Sequence, residues 1–142
     1  MNYKVVYFTR TGNSKRVAEK IASKLSCEAL QITDNMNWKG GFGYLKGGYY
    51  ASLNRDVDIN IPENLDSADE LIVVTPIWAG GIAPDIKAFL KNTTLSKVHL
   101  VVTSLGSILK DRAGFKSVCD IVKNKNDEDV IILNFVSNLT TE

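Results

Sequence analysis

An excess of charge of either sign is missing from this chain, and cysteine and histidine, the residues of disulfides and of many metal sites, are scarce. Seventeen Lys and Arg stand against sixteen Asp and Glu, for a net charge of +1. That balance offers no nucleic-acid footprint and no acidic tail. Cys27 and Cys119 are the only cysteines. Their spacing fits neither a metal site nor a redox motif, so they read as reduced core thiols of a cytoplasmic protein. The single histidine, His99, reads as a sheet residue, with no Ser or Cys constellation to make it catalytic. The longest apolar stretch is broken at Pro76 and Pro84, so no membrane span is expected. The N-terminus enters a strand at once, without the pattern of a signal peptide. Repeats, low-complexity tracts and linkers are absent as well.

What is present is an alternation. The 142 residues, 44% hydrophobic and 23% charged, suit one globular domain with a real core. Strands are expected at about Tyr3–Phe8, Glu28–Ile32, Leu71–Thr75, Val98–Thr103 and Val130–Phe135. Helices are expected at about Ser14–Leu25, from Pro84 onward, and near Asp111–Lys123. Pro84 fits a first helical position, where its missing N–H is not needed. A Gly-rich segment runs from Trp38 to Leu53. The third and fifth strands are nearly continuous Val, Ile and Leu, as parallel strands covered on both faces are. Together these make an α/β, doubly wound, five-stranded parallel sheet. Ligands of such sheets bind beyond the carboxyl ends of the strands.

Three loops occupy that edge. The first, Thr9-Arg10-Thr11-Gly12-Asn13-Ser14, leads a strand into an amphipathic helix carrying Val17, Ala18, Ile21, Ala22 and Leu25 on one stripe. Hydroxyls and an amide gathered at a helix N-terminus, with Gly12 for the turn, form an anion site. Capping by Asn13 or Ser14 alone would use one of these residues and leave the others unexplained. No triphosphate loop, no dinucleotide G-x-G-x-x-G, no phosphatase Cys-to-Arg loop and no receiver-type acidic cluster is present. The loop therefore suits a monophosphate that is held rather than transferred. The second loop, Pro76-Ile77-Trp78-Ala79-Gly80-Gly81, offers an exposed indole for a planar ring and a backbone able to reorient. The third is Ser104-Leu105-Gly106-Ser107.

The first loop resembles the flavin mononucleotide (FMN) phosphate loop of flavodoxins, of the form T/S-x-T-G-x-T/S. Pro76-Ile77-Trp78-Ala79-Gly80 is similar to the family's flavin-ring loop, and Pro84-Asp85-Ile86-Lys87-Ala88-Phe89-Leu90 to its third helix. Gly41-Phe42-Gly43-Tyr44-Leu45-Lys46-Gly47-Gly48 is similar to a segment of a bacterial branch of flavodoxin-like oxidoreductases. The resemblance spans about residues 3–136. It implies strand order 2-1-3-4-5 and FMN as cofactor. Thr9, Thr11, Gly12, Asn13 and Ser14, with Arg10 beside them, would hold the phosphate. Pro76, Ile77, Trp78, Ala79, Gly80 and Gly81 would flank the ring, Trp78 against it, and a carbonyl of Ala79-Gly80-Gly81 would turn toward flavin N5. Ser104, Leu105 and Gly106 would supply the third side. FMN is favoured over FAD because no segment is placed for an adenosine half.

The chain also departs from that family. Flavodoxin shuttles are acidic around the flavin, whereas this sequence places Arg10, Lys39, Lys46, Lys110 and Arg112 there. The third loop has no aromatic to stack on the outer flavin face; Tyr44, Tyr49 or Tyr50 is the substitute from the Gly-rich segment. After Val130–Phe135 only Ser137 to Glu142 remain, too short for the helix that closes the fold. A missing final helix would leave an apolar face for a homodimer or a partner. The expected function is electron transfer through bound FMN with a redox partner protein or a small-molecule donor or acceptor. Two alternatives stand beside it: an NAD(P)H-dependent FMN oxidoreductase with a quinone-type acceptor, and a non-redox regulatory binding module on the same fold.

Overall fold

The computed structural model describes residues 1–34, 59–62, 65–78, 80–123 and 127–140. The Gly-rich segment, with Lys39, Lys46, Tyr44, Tyr49 and Tyr50, and also Ala79, lie outside the described residues. In chain order the elements are β1 (Tyr3–Tyr7), α1 (Asn13–Lys24), β2 (Ala29–Gln31), β3 (Thr33–Asp34), β4 (Ile59–Asn60), β5 (Glu70–Trp78), β6 (Gly81–Ile82), α2 (Pro84–Leu90), β7 (Val98–Ser104), β8 (Ser117–Val122) and α3 (Glu128–Thr140). The parallel strands follow the order β2-β1-β5-β7-β8, which is the expected 2-1-3-4-5. β3 and β4 form a separate antiparallel pair, and β6 folds back on β5.

Alternation along the strands sorts the core into two layers. Val6, Phe8, Val73, Leu100 and Val102 pack on one face with Ile86 and Phe89 of α2. Val5, Tyr7, Ile72, Val74 and Val101 pack on the other with Val17, Ile21 and Ala22 of α1 and with α3. The fold is therefore doubly wound, and among the described residues no helix is long and apolar enough to cross a membrane.

Two expected elements exchange identity. Residues 111–123 do not form a helix: Gly114 has φ +92°, the Ala113 N–H bonds to Asp111 Oδ1 at 3.1 Å, and Ser117–Val122 then pairs with β7. β-Branched Val118, Ile121 and Val122 suit that strand. The Val130–Phe135 run is helical instead. Ile132, Phe135, Val136 and Leu139, spaced i, i+3, i+4 and i+7, are the buried residues of α3. Asp127 starts the helix by accepting the Val130 N–H at 3.4 Å, and Glu128 and Asp129 sit in its first turn. Packing on the sheet outweighs the strand propensity of the Val-Ile-Ile run. The final helix is thus present and covers the face expected to be open, which removes the basis for a homodimer through that face.

α3 is tied down at both ends. Glu128 accepts from Arg16 at 2.6 Å and Lys20 at 2.8 Å, and Lys20 also meets Asp129 at 2.8 Å. The Arg16 contact, against the opposing effect of burial and with Lys20 helping, holds the Glu128 pKa down at about 2. At the other end Tyr3 Oη donates to the Leu139 carbonyl at 3.2 Å.

Candidate functional site

The loops expected at the carboxyl edge do converge. They surround a cavity of about 240 Å³, lined from the first loop by Thr9, Arg10, Thr11, Asn13 and Ser14, from β5 by Pro76, Ile77 and Trp78, and from the third loop by Ser104, Leu105 and Ser107. Thr103 and Lys123 also line it. Sequence reasoning did not include those two among the site residues. Thr103 is the penultimate residue of β7, and Lys123 directly follows β8, the strand whose sequence pattern suggests a helix.

The first loop is organised by its backbone. Gly12 is the N-cap of α1 at φ +95°, a left-handed conformation that favours glycine. Its N–H donates to Thr9 Oγ1 at 2.9 Å, and its carbonyl accepts the Arg16 N–H at 3.0 Å. No side chain caps α1. Capping by Asn13 or Ser14 therefore does not account for the loop, and the first-turn N–H groups keep their capacity to bind an anion. Ser14 is buried and pairs with Thr103 Oγ1 at 2.8 Å. One hydroxyl proton is used between the two, which leaves the other to donate elsewhere. The Asn13 side-chain oxygen accepts from Arg16, so its amide N–H₂ is the end left to donate.

The second loop differs from expectation. β5 continues through Pro76, Ile77 and Trp78 and turns back into β6, pairing Ile77 with Ile82 and Trp78 with Gly81. Pro76 is tolerated because β1 pairs β5 only as far as Val74, so no ladder on that side needs its N–H. Trp78 is 5% exposed and meets Phe8 edge-on, with ring centroids 5.6 Å apart. It is mainly a core residue with one side on the cavity, not the exposed platform expected. Gly80 takes φ +76°, and its carbonyl accepts the Lys110 N–H at 3.2 Å. That carbonyl is already engaged. Gly12, Gly80, Gly81 and Gly106 shape the loops without lining the cavity, and Ala79 lies outside the described residues.

The third loop is anchored where β7 ends. The Ser104 carbonyl accepts the Lys123 N–H at 2.9 Å, and Gly106 follows at φ +144°. Chemically the cavity has hydroxyl and amide donors at one end, two cations, and an apolar wall of Pro76, Ile77, Trp78 and Leu105. Such a site suits an anion joined to a flat, largely apolar group.

Near the same edge lies Asp85, in the first turn of α2. It is fully buried, and neither carboxyl oxygen has a hydrogen-bond partner among the described residues. Burial first, and then the facing Asp34 carboxyl, push its pKa up to about 9. The two thiols are unpaired, and burial with the nearby Asp120 pushes Cys119 to about 11.

No protein-family model and no curated protein matches the chain. Solved structures do. A presumed flavoprotein from Bacteroides eggerthii has a TM-score of 0.74 at 20% identity, covering 99% of each chain. A flavoprotein in complex with FMN from Lactobacillus acidophilus has a TM-score of 0.62 at 18% identity, covering 85% of this chain and 90% of that one. Oxidised flavodoxin 2 from Bacillus cereus has a TM-score of 0.54 at 15% identity over 99% of both. The chain is similar to these flavodoxin-like proteins along nearly its whole length, and its fold is flavodoxin-like.

Proposed function

We propose that the chain binds FMN in the cavity at the carboxyl edge and passes electrons through it. The observation that carries this reading is the convergence of an uncapped α1 N-terminus, with its hydroxyl-rich loop, on an apolar wall across one cavity. The donor set fits the cofactor. Thr9, Thr11, Asn13 and Ser14, with the first-turn N–H groups and Arg10, would hold the phosphate. Pro76, Ile77, Trp78 and Leu105 would bound the ring, and Ser104 and Ser107 offer hydroxyls at its rim. The flavin, when bound, supplies the electron chemistry; the chain supplies position, exclusion of water and electrostatics. Similarity to an FMN-bound flavoprotein supports the choice of cofactor. Unpaired thiols suit a reducing compartment such as the cytoplasm.

Electron carriage is the reading we adopt over substrate oxidation, because the described residues lining the cavity include no histidine, aspartate, glutamate, cysteine or tyrosine placed to transfer a proton to a substrate. The test is an FMN titration followed by absorbance and flavin fluorescence, then incubation of the loaded protein with NADPH and a soluble quinone. Quenched fluorescence, a structured flavin spectrum and no steady-state NADPH oxidation are expected. Absence of FMN binding would overturn the cofactor, and sustained turnover would overturn the carrier role in favour of an oxidoreductase.

A further inference from the structure

One cation of the cavity belongs to none of the three loops. Lys123 directly follows β8 and lines the cavity with Ser104 and Leu105. Its backbone is fixed by the sheet. Ser104 pairs with Val122, and the Ser104 carbonyl accepts the Lys123 N–H at 2.9 Å, so the ladder between β7 and β8 runs one residue past the strand. A flexible four-carbon stem then carries the ammonium from a rigid anchor.

Alternation says which way that stem leaves the sheet. Val118 of β8 packs in the layer with α2, whereas Cys119 and Ile121 pack in the layer with α1. Lys123, two residues beyond Ile121, continues on the α1 side. Thr103, the register partner of Ile121, stands on that side as well, and its hydroxyl meets Ser14 in the first turn of α1 at 2.8 Å. Trp78 belongs to the opposite layer, with α2. The ammonium is therefore directed toward the α1 N-terminus and away from the indole.

It is also unspent. Among the described residues the Lys123 side chain enters no ion pair and no hydrogen bond. The charged groups at the start of α1 and α3 are engaged with one another: Arg16 and Lys20 hold Glu128, Lys20 also holds Asp129, and Asp127 accepts the Val130 N–H. Arg10, in the same lining, has contacts of its own within the chain. The hydroxyls and amides of Thr9–Ser14 can bond phosphate oxygens, but being neutral they leave the charge of a phosphate, about −1.5 to −2 at pH 7, unbalanced.

We infer that Lys123 is the charge partner of the phosphate, a binding residue that closes the α1 end of the cavity from the β8 side; the inference rests on the FMN reading of the cavity. The lysine recognises a phosphate monoester dianion by charge and makes no contact with the ring. It makes affinity depend on the charge of the ligand's terminal group, which the neutral loop alone would do weakly.

FMN and riboflavin share the ring and differ in the phosphate, so fluorescence titrations of both flavins test the assignment, using the parent, Lys123→Gln and Lys123→Arg. Urea midpoints record folding, and the exposed Lys123 side chain should leave them unchanged. Lys123→Gln should weaken FMN binding about tenfold and leave riboflavin binding unaltered. Lys123→Arg should restore most of the loss. Raising salt from about 20 to about 300 mM should weaken FMN binding more in the parent than in Lys123→Gln. Equal losses for both flavins would put the lysine at the ring. No loss for either would make it a solvated surface residue, and an Arg variant as weak as the Gln variant would remove charge as the cause. Each of these results overturns the inference. If the parent and Lys123→Gln prefer FMN over riboflavin by the same factor, the lysine fails and the FMN reading stands; a parent that binds neither flavin overturns both.

Discussion

The two edges of the sheet carry similar polar residues and spend them differently. At the amino edge His99 is 2% exposed, with Nε2 on Glu70 Oε1 at 2.8 Å and Nδ1 on Ser117 Oγ at 2.7 Å, while Lys116 reaches the other Glu70 oxygen. Burial pushes the Glu70 pKa up, but Lys116 and His99 outweigh it and hold the carboxyl below its usual value. A hollow of about 530 Å³ lies against His99, Ser117, Asn134 and Asn138 there, larger than the cavity at the carboxyl edge. Size does not decide function. The amino-edge groups are satisfied by one another and brace three strands. At the carboxyl edge the α1 N–H groups, the Asn13 amide and one proton of the Ser14–Thr103 pair keep donors in reserve. Saturated networks stabilise; unspent donors recognise.

Glu70→Ala should break that contrast with the largest effect. It removes the carboxylate that His99 and Lys116 share, leaving the buried imidazole without its Nε2 partner, and should cost about 3 kcal/mol in urea unfolding, with FMN affinity unchanged. Thr11→Ala attacks the opposite edge. The exposed hydroxyl is not needed by the fold, so stability should hold while FMN binding weakens by about 1.5–3 kcal/mol in a fluorescence titration. Equal losses of stability in both variants would erase the distinction.

Asp85 sharpens it from another side, as a polar group that is unspent yet sealed from solvent. Its folded pKa of about 9 stands above the ordinary 3.8. The folded state therefore holds a proton that the unfolded chain releases, and this carboxyl costs stability as the pH rises from about 4 to about 9. Asp85→Asn should be more stable than the parent by about 1–2 kcal/mol at pH 8 and level with it at pH 4, read from urea midpoints. A constant difference across that range would mean that Asp85 stays ionised.

Much of this was legible in the residues. Thr9–Ser14 reads as an anion site because a Gly and several small donors between a β-branched run and a 3.6-residue stripe have few other uses, and its convergence with the β5 and β7 ends on one cavity is what the fold adds. Sheet order followed once strand and helix alternated. What failed was local: Val130-Ile131-Ile132 has strand propensity, and only the spacing from Ile132 to Leu139, with Asp127 before it, marks a helix. Ser117–Val122 is a short strand whose β7 partner is invisible to a local window, so the local pattern suggests a helix there and gives Lys123 no place at the cavity. Trp78 is buried where exposure is expected, because a strand's carboxyl end does not say on which face the ring lies; Phe8, seventy residues earlier, takes its edge. The Glu70–His99–Ser117 cluster joins residues far apart in sequence and could not be seen before the strands were in register.

The central claim is that the α1 end of the cavity holds a phosphate. The most direct measurement compares the dissociation constants of FMN and riboflavin, which share the ring and differ in that group. FMN should bind at least about a hundredfold tighter, as expected for two or more charge-assisted hydrogen bonds. Equal affinities would contradict the claim, because the reserved donors of Thr9–Ser14 would then have nothing to recognise.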